Sequence, residues 1–139
     1  SEVACRAICE RNFNLDLAGT GATWAGGASP GLSLYGPGVY FSERITKADE
    51  YAVAGDREGH EWLFHVLLCR VVGGCPKVCT TNEIDPKALR GEILDGLNHC
   101  VMGDRVAELK KPYREVVIYD TDQIYPEYLL TYSRIMPGQ

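Results

Sequence analysis

Gly36-Pro37-Gly38-Val39-Tyr40-Phe41 is a glycine turn that runs straight into a β-rich run, and that order decides the fold class. A doubly wound dinucleotide fold needs a strand, then glycines, then a helix whose N-terminus receives the phosphates. Here the glycines lead into a strand, which excludes that arrangement. Upstream, residues 19–38 are rich in Gly, Ala, Ser and Pro, with Trp24, Leu32, Leu34 and Tyr35 as anchors. Such a stretch reads as a long loop, and long loops in compact domains tend to carry function. Downstream, Thr46 and Asp49 have the spacing of a capping box and predict a helix running toward Ala54.

Farther out, Val3, Ala4, Ala7 and Ile8 fall at helical spacing within residues 1–11, with Asn12 placed to end the helix. From Trp62 to Val72 both alternating sets are apolar, which predicts a central strand covered on both faces. Asp85-Pro86 reads as an N-cap and first helical position, with Gly91 closing a short helix. Glu115-Val116-Val117-Ile118-Tyr119 is a further β-rich run, and a last strand, Tyr128 to Ile135, follows the turn-forming Pro126. The segment from Pro76 to Pro112 reads as irregular and charged. Strands outnumber short helices, so the sequence predicts an α+β domain with mainly antiparallel pairing.

The chain has 139 residues, 45% of them hydrophobic, enough for one domain with its own core. Fourteen basic residues against 19 acidic give a net charge of −5, which argues against nucleic acid as the direct partner. No apolar stretch approaches the ~18 residues of a membrane span. Residues 1–6 show no Met and no signal pattern, and the chain is expected to be cut from something longer. The six cysteines are irregularly spaced, as in Cys5-x3-Cys9 and Cys69-x5-Cys75-x3-Cys79, without the paired Cys-x2-Cys of a zinc site. No metal is expected, and the protein reads as intracellular, in nucleus or cytoplasm. His60, His65 and His99 could each serve a nucleophile such as Cys100, but no Asn or Asp orienter stands at a recognisable spacing. What remains is Tyr40-Phe41, Tyr51 and Glu115, aromatics beside one carboxylate, a set that could hold a flat ring and a sugar.

Gly36 to Phe41, Lys47, Tyr51, Glu115 to Tyr119 and Gln123-Ile124-Tyr125-Pro126-Glu127-Tyr128-Leu129 together resemble the catalytic domain of poly(ADP-ribose) polymerases, the diphtheria-toxin-like ADP-ribosyltransferases, and tankyrase-like members especially. Ile8-Cys9-Glu10-Arg11-Asn12-Phe13-Asn14 resembles the segment that follows the family's His-Gly-Ser/Thr motif, which would then fall just before Ser1. The resemblance implies two abutting, mainly antiparallel sheets with short helices around a cleft for NAD. It further implies that residues 1–139 are a partial catalytic domain lacking the His-Gly strand, inactive on its own.

By the same resemblance, Tyr40 and Glu115 are the catalytic residues present, and Tyr40 and Tyr51 sandwich the nicotinamide ring. Tyr35, Gly38, Lys47 and Ala48 complete the donor-binding set, with Ala48 standing where many relatives carry a serine that contacts the carboxamide. The implied reaction transfers ADP-ribose from NAD to protein side chains, the chain itself included, with release of nicotinamide. Retention of Glu115 leaves polymer synthesis open, because relatives without this glutamate are generally limited to single transfers. The alternative is an inactive module of the same fold that binds ADP-ribose or protein.

Overall fold

The computed structural model describes residues 1–18, 33–55, 57–59, 61–81, 83–106, 110 and 112–135. Helix α1 (Glu2–Arg11) ends at Asn12, which adopts a left-handed φ of 67° and donates its N–H to the Ile8 carbonyl at 2.8 Å. Asn is among the non-glycine residues that best tolerate this conformation. Its side-chain amide then donates to the carbonyls of Thr121 and Ile124, both at 3.0 Å, and pins the helix end to the start of the last strand.

Among the described residues seven strands form two sheets. In the first, β1 (Val39–Ser42), β6 (Arg114–Ile118), β5 (Cys100–Asp104) and β4 (Pro76–Cys79) lie in that order. The β1/β6 and β6/β5 pairs are antiparallel, and β4/β5 is parallel, joined by the crossover helix α3 (Pro86–Asp95). In the second, β3 (Glu61–Val71) sits between β2 (Arg57–Glu58) and β7 (Ile124–Ser133), all antiparallel. The short helix α2 (Ile45–Asp49) follows β1 and packs against it.

Side chains alternate across each strand, so the first sheet has two distinct faces. One packs on the second sheet, where Cys100, Ile118 and Ile124 are buried with Phe13, Val39, Phe41, Cys69, Val71 and Val116 around them. The other packs under α3, whose Leu89 and Ile93 cover Tyr35, Val101, Val117 and Tyr119. The result is the expected α+β architecture of two abutting, mainly antiparallel sheets.

Several local expectations need correction. Thr46 lies inside α2 rather than capping it; Arg44 takes the N-cap position with no side-chain cap, and the helix stops at Asp49, short of Ala54. Asp85 does cap α3, accepting from the N–H groups of Lys87 and Ala88 at 2.9 and 3.2 Å, but Gly91 lies within the helix and Gly96 ends it. β3 is central in its sheet but not covered throughout: Phe64, His65 and Val66 are buried, whereas Trp62 and Leu68 are 49% and 52% exposed. β7 begins at Ile124, before Pro126, which sits opposite Cys69 where the β3/β7 register shifts. A proline has no N–H for a ladder bond, and an irregularity in the pairing is where one fits. The Pro76 to Pro112 segment holds β4, α3 and β5, and so supplies half of the first sheet. Of the loop expected over residues 19–38, residues 33–38 form the turn into β1, and residues 19–32 lie outside the described residues.

Candidate active site

The turn before β1 is shaped by its glycines. Gly36 has φ +85°, a region a side chain disfavours, and its N–H reaches the Ser33 carbonyl at 3.0 Å. At Gly38 a methyl group would lie 2.7 Å from Val117 Cγ1 and 3.0 Å from the Ile118 carbonyl oxygen, so only glycine lets β1 approach β6 this closely. Pairing then sets the site: Tyr40 is opposite Val117, Ser42 is opposite Glu115, and Glu115 is opposite Gly103 on β5. Tyr40, Glu115 and Gly103 therefore share the face of the first sheet that lies under α3.

Tyr40 closes the turn that precedes it. Its hydroxyl donates to the Gly36 carbonyl at 2.9 Å and accepts the Tyr35 N–H at 3.0 Å. The Tyr35 ring lies 6.3 Å from the Tyr40 ring at a tilt of 33°, and its carbonyl accepts the Tyr119 hydroxyl. Burial pushes both phenols above their usual range. For Tyr35 the nearby Glu115 charge adds to the rise and Arg105 opposes it. Both tyrosines thus act near neutral pH as uncharged hydrogen-bonding aromatics.

Glu115 is only 6% exposed, and a buried carboxylate without a partner is costly. The Arg105 guanidinium supplies the partner, with Nε 3.3 Å from Glu115 Oε2, while it also lies 5.8 Å from the centre of the Tyr35 ring. Sequence reasoning misses Arg105, because the contact depends on the β5/β6 register, which pairs Gly103 with Glu115 and Asp104 with Arg114.

Lys47, Ala48 and Tyr51 form a second group on α2 and the turn after it. Lys47 is buried, its ammonium 2.6 Å from Glu50 Oε2 and over the rings of Tyr51 at 4.9 Å and Tyr113 at 4.5 Å. Burial by itself would lower its pKa, but Glu50 and Tyr51 outweigh it and hold the value above the usual one. Tyr113, two residues before Glu115, was not among the sequence candidates, yet through Lys47 it ties α2 to the Glu115 strand. Tyr51 is 44% exposed and keeps surface to offer a ligand. Ala48 contributes backbone only: its N–H meets the Arg44 carbonyl at 3.3 Å and its carbonyl accepts the Tyr51 N–H at 3.1 Å.

The structure thus brings Tyr35, Gly38, Tyr40 and Glu115 onto one sheet face and gathers Lys47, Ala48 and Tyr51 on the adjoining helix. None of the seven lines the groove of about 360 Å³ between the sheets, whose walls include Phe41, Leu67, Cys100, Met102 and Val116. Among the described residues the Cys/His arrangement does not form: Cys100 is buried in the inter-sheet core, His99 Nδ1 accepts the Cys75 N–H at 2.9 Å, and His65 Nδ1 lies 3.0 Å from Thr131 Oγ1, while His60 lies outside the described residues. Among the described residues no group of three or more His, Cys, Asp or Glu could hold a metal ion. Chemically, a fixed carboxylate beside aromatic rings favours positive charge developing on a bound ligand, which is what cleavage at a sugar C1 requires.

The profile of the Poly(ADP-ribose) polymerase catalytic domain matches residues 1–134. The chain is also similar to protein mono-ADP-ribosyltransferase PARP12 of Mus musculus, 27% identical over 129 residues that cover 91% of this chain and 15% of that protein. The matched span takes in the glycine turn, Tyr40, α2 and Glu115 together, and with the two-sheet architecture it shows that the chain belongs to the poly(ADP-ribose) polymerase catalytic domain family.

Proposed function

We propose that this chain carries the Tyr40 and Glu115 part of an ADP-ribosyltransferase site that takes NAD and modifies protein side chains, its own included. The observation that carries the reading is the buried Glu115 carboxylate on the same sheet face as Tyr40, within a family match that spans both. In the proposed reaction the nicotinamide ring stacks on Tyr40 and is closed over by Tyr51, an arrangement suited to flat rings. Glu115 accepts a hydrogen bond from the ribose 2′-hydroxyl and stabilises positive charge as the bond from C1 to nicotinamide breaks. Nicotinamide leaves with the electron pair of that bond. A lone pair of the acceptor side chain forms the new bond at the same carbon, and the acceptor gives its proton to solvent. Family resemblance supports an upstream His-Gly motif as the rest of the donor grip.

The test is incubation of the protein, extended upstream through its own coding sequence, with NAD labelled in the adenylate half. Label on protein with equimolar nicotinamide is the expected result; binding of NAD or ADP-ribose with no nicotinamide released would support the non-catalytic module, which the missing hydroxyl at Ala48 favours. The same gel reads product length. Retained Glu115 supports extension to a ladder, while a single step would match the activity in the name of the mouse relative.

A further inference from the structure

We propose that Arg105 is a positioning residue for Glu115, an inference that rests on the transferase reading above. Three observations converge on it. Arg105 Nε lies 3.3 Å from Glu115 Oε2, and the two side chains are only 15% and 8% exposed, so the contact is shielded from water and salt. The same guanidinium stands against the Tyr35 ring at 5.8 Å, and Tyr35 is itself held through its N–H by Tyr40 and through its carbonyl by Tyr119. Finally, Arg105 is anchored where β5 ends, its N–H bonded to the Gly103 carbonyl at 3.1 Å, with the cross-strand pair of Asp104 and Arg114 at 3.6 Å beside it.

The guanidinium is therefore fixed on its own side, and it takes one oxygen of the carboxylate. A carboxylate has acceptor positions on both oxygens, so Oε1 is left to a ribose hydroxyl in an orientation that Arg105 sets. Arginine suits this task because its rigid, planar fork fixes the direction of the hydrogen bond to one carboxylate oxygen, whereas a lysine ammonium is a rotatable point charge. The role differs from that of Lys47, whose ammonium is engaged by Glu50 and two tyrosines on the α2 side.

If Arg105 acts by orienting Glu115, its removal changes the bond-breaking step more than NAD binding. Arg105→Gln is expected to lower kcat for nicotinamide release between about 10-fold and 100-fold, the range that misplacement of a catalytic group produces, with KM for NAD changed no more than about twofold. Arg105→Lys should recover part of kcat by restoring the charge. In a Glu115→Gln background, Arg105→Gln should cost little further, because a residue that acts through another is non-additive with it. Arg105→Gln with kcat within twofold of wild type, even if it melts earlier, would reduce the pair to a structural role and overturn the inference. A rise in kcat would make the pair an inhibitory latch and overturn it equally. Full additivity with Glu115→Gln, or no recovery in Arg105→Lys, would do the same. A wild-type protein that releases no nicotinamide removes the transferase reading and this inference with it, an outcome separate from those in which wild type is active.

Discussion

Glu115→Gln is expected to lower nicotinamide release by roughly 10²- to 10³-fold, the scale on which a preorganised electrostatic group acts in a desolvated site. The side chain keeps its shape and loses its charge, so the ribose hydroxyl still finds an acceptor but the developing positive charge does not find a counter-charge. The sequence alone predicts no effect on folding. The structure adds one, because Arg105 loses its buried counter-ion at 3.3 Å. Removal of one partner from a fully buried pair costs about 3–5 kcal/mol. Here the glutamine carbonyl still accepts the guanidinium hydrogen bond, so a loss of about 1–2 kcal/mol is expected. Steady-state kinetics and a denaturant midpoint on the same preparations separate the two effects. Unchanged kcat would remove Glu115 from the chemistry.

Gly103→Ala is expected to be strongly disruptive for the addition of a single methyl group. The added methyl would fall 2.2 Å from the Tyr35 hydroxyl oxygen and 2.5 Å from Cζ, distances no real side chain tolerates. Tyr35 cannot swing aside. It is 1% exposed under α3, and its backbone is held by Tyr40 and Tyr119. The strand or the ring must move, at a cost of about 3 kcal/mol, the upper part of the range for overpacking. Because Gly103 is opposite Glu115 and Tyr35 flanks Arg105, catalysis should fall along with the denaturant midpoint. A variant as stable and as active as wild type would mean that Tyr35 does not support the site.

The parts of this fold that were legible in the sequence are those whose local chemistry agrees with their final place. Val39 to Phe41 and Val116 to Ile118 are β-branched and aromatic runs, and they form the β1/β6 pair. Asp85 caps its helix as its position before a proline predicts. By contrast, β4 is the short stretch Pro76–Cys79 and β5 is Cys100–Asp104, in which Met102, Gly103 and Asp104 carry no strand signal of their own. Their strand character comes from pairing with each other and with β6, which no window of sequence contains. Capping at Thr46 failed for the related reason that β1 hands directly into α2, leaving Arg44 at the cap.

The site divides along the same line. Tyr40 and Glu115 stood out because each sits in a dense local motif, and the β1/β6 register puts them on one face. Arg105 and Tyr113 carry no such motif; they reach Glu115 and Lys47 through strand register and helix packing. Lys47 was legible as a candidate, but its burial between Tyr51 and Tyr113 was not, since it depends on where β6 begins relative to α2.

The most direct test of the central claim is a crystal structure of the upstream-extended protein with a non-hydrolysable NAD analogue. The expected result has the nicotinamide ring stacked on Tyr40 with Tyr51 closing over it, and a ribose hydroxyl within hydrogen-bond reach of Glu115 Oε1 while Arg105 keeps Oε2. An analogue seated instead in the groove between the sheets, against Phe41, Met102 and Val116 on the opposite face from Glu115, would contradict it.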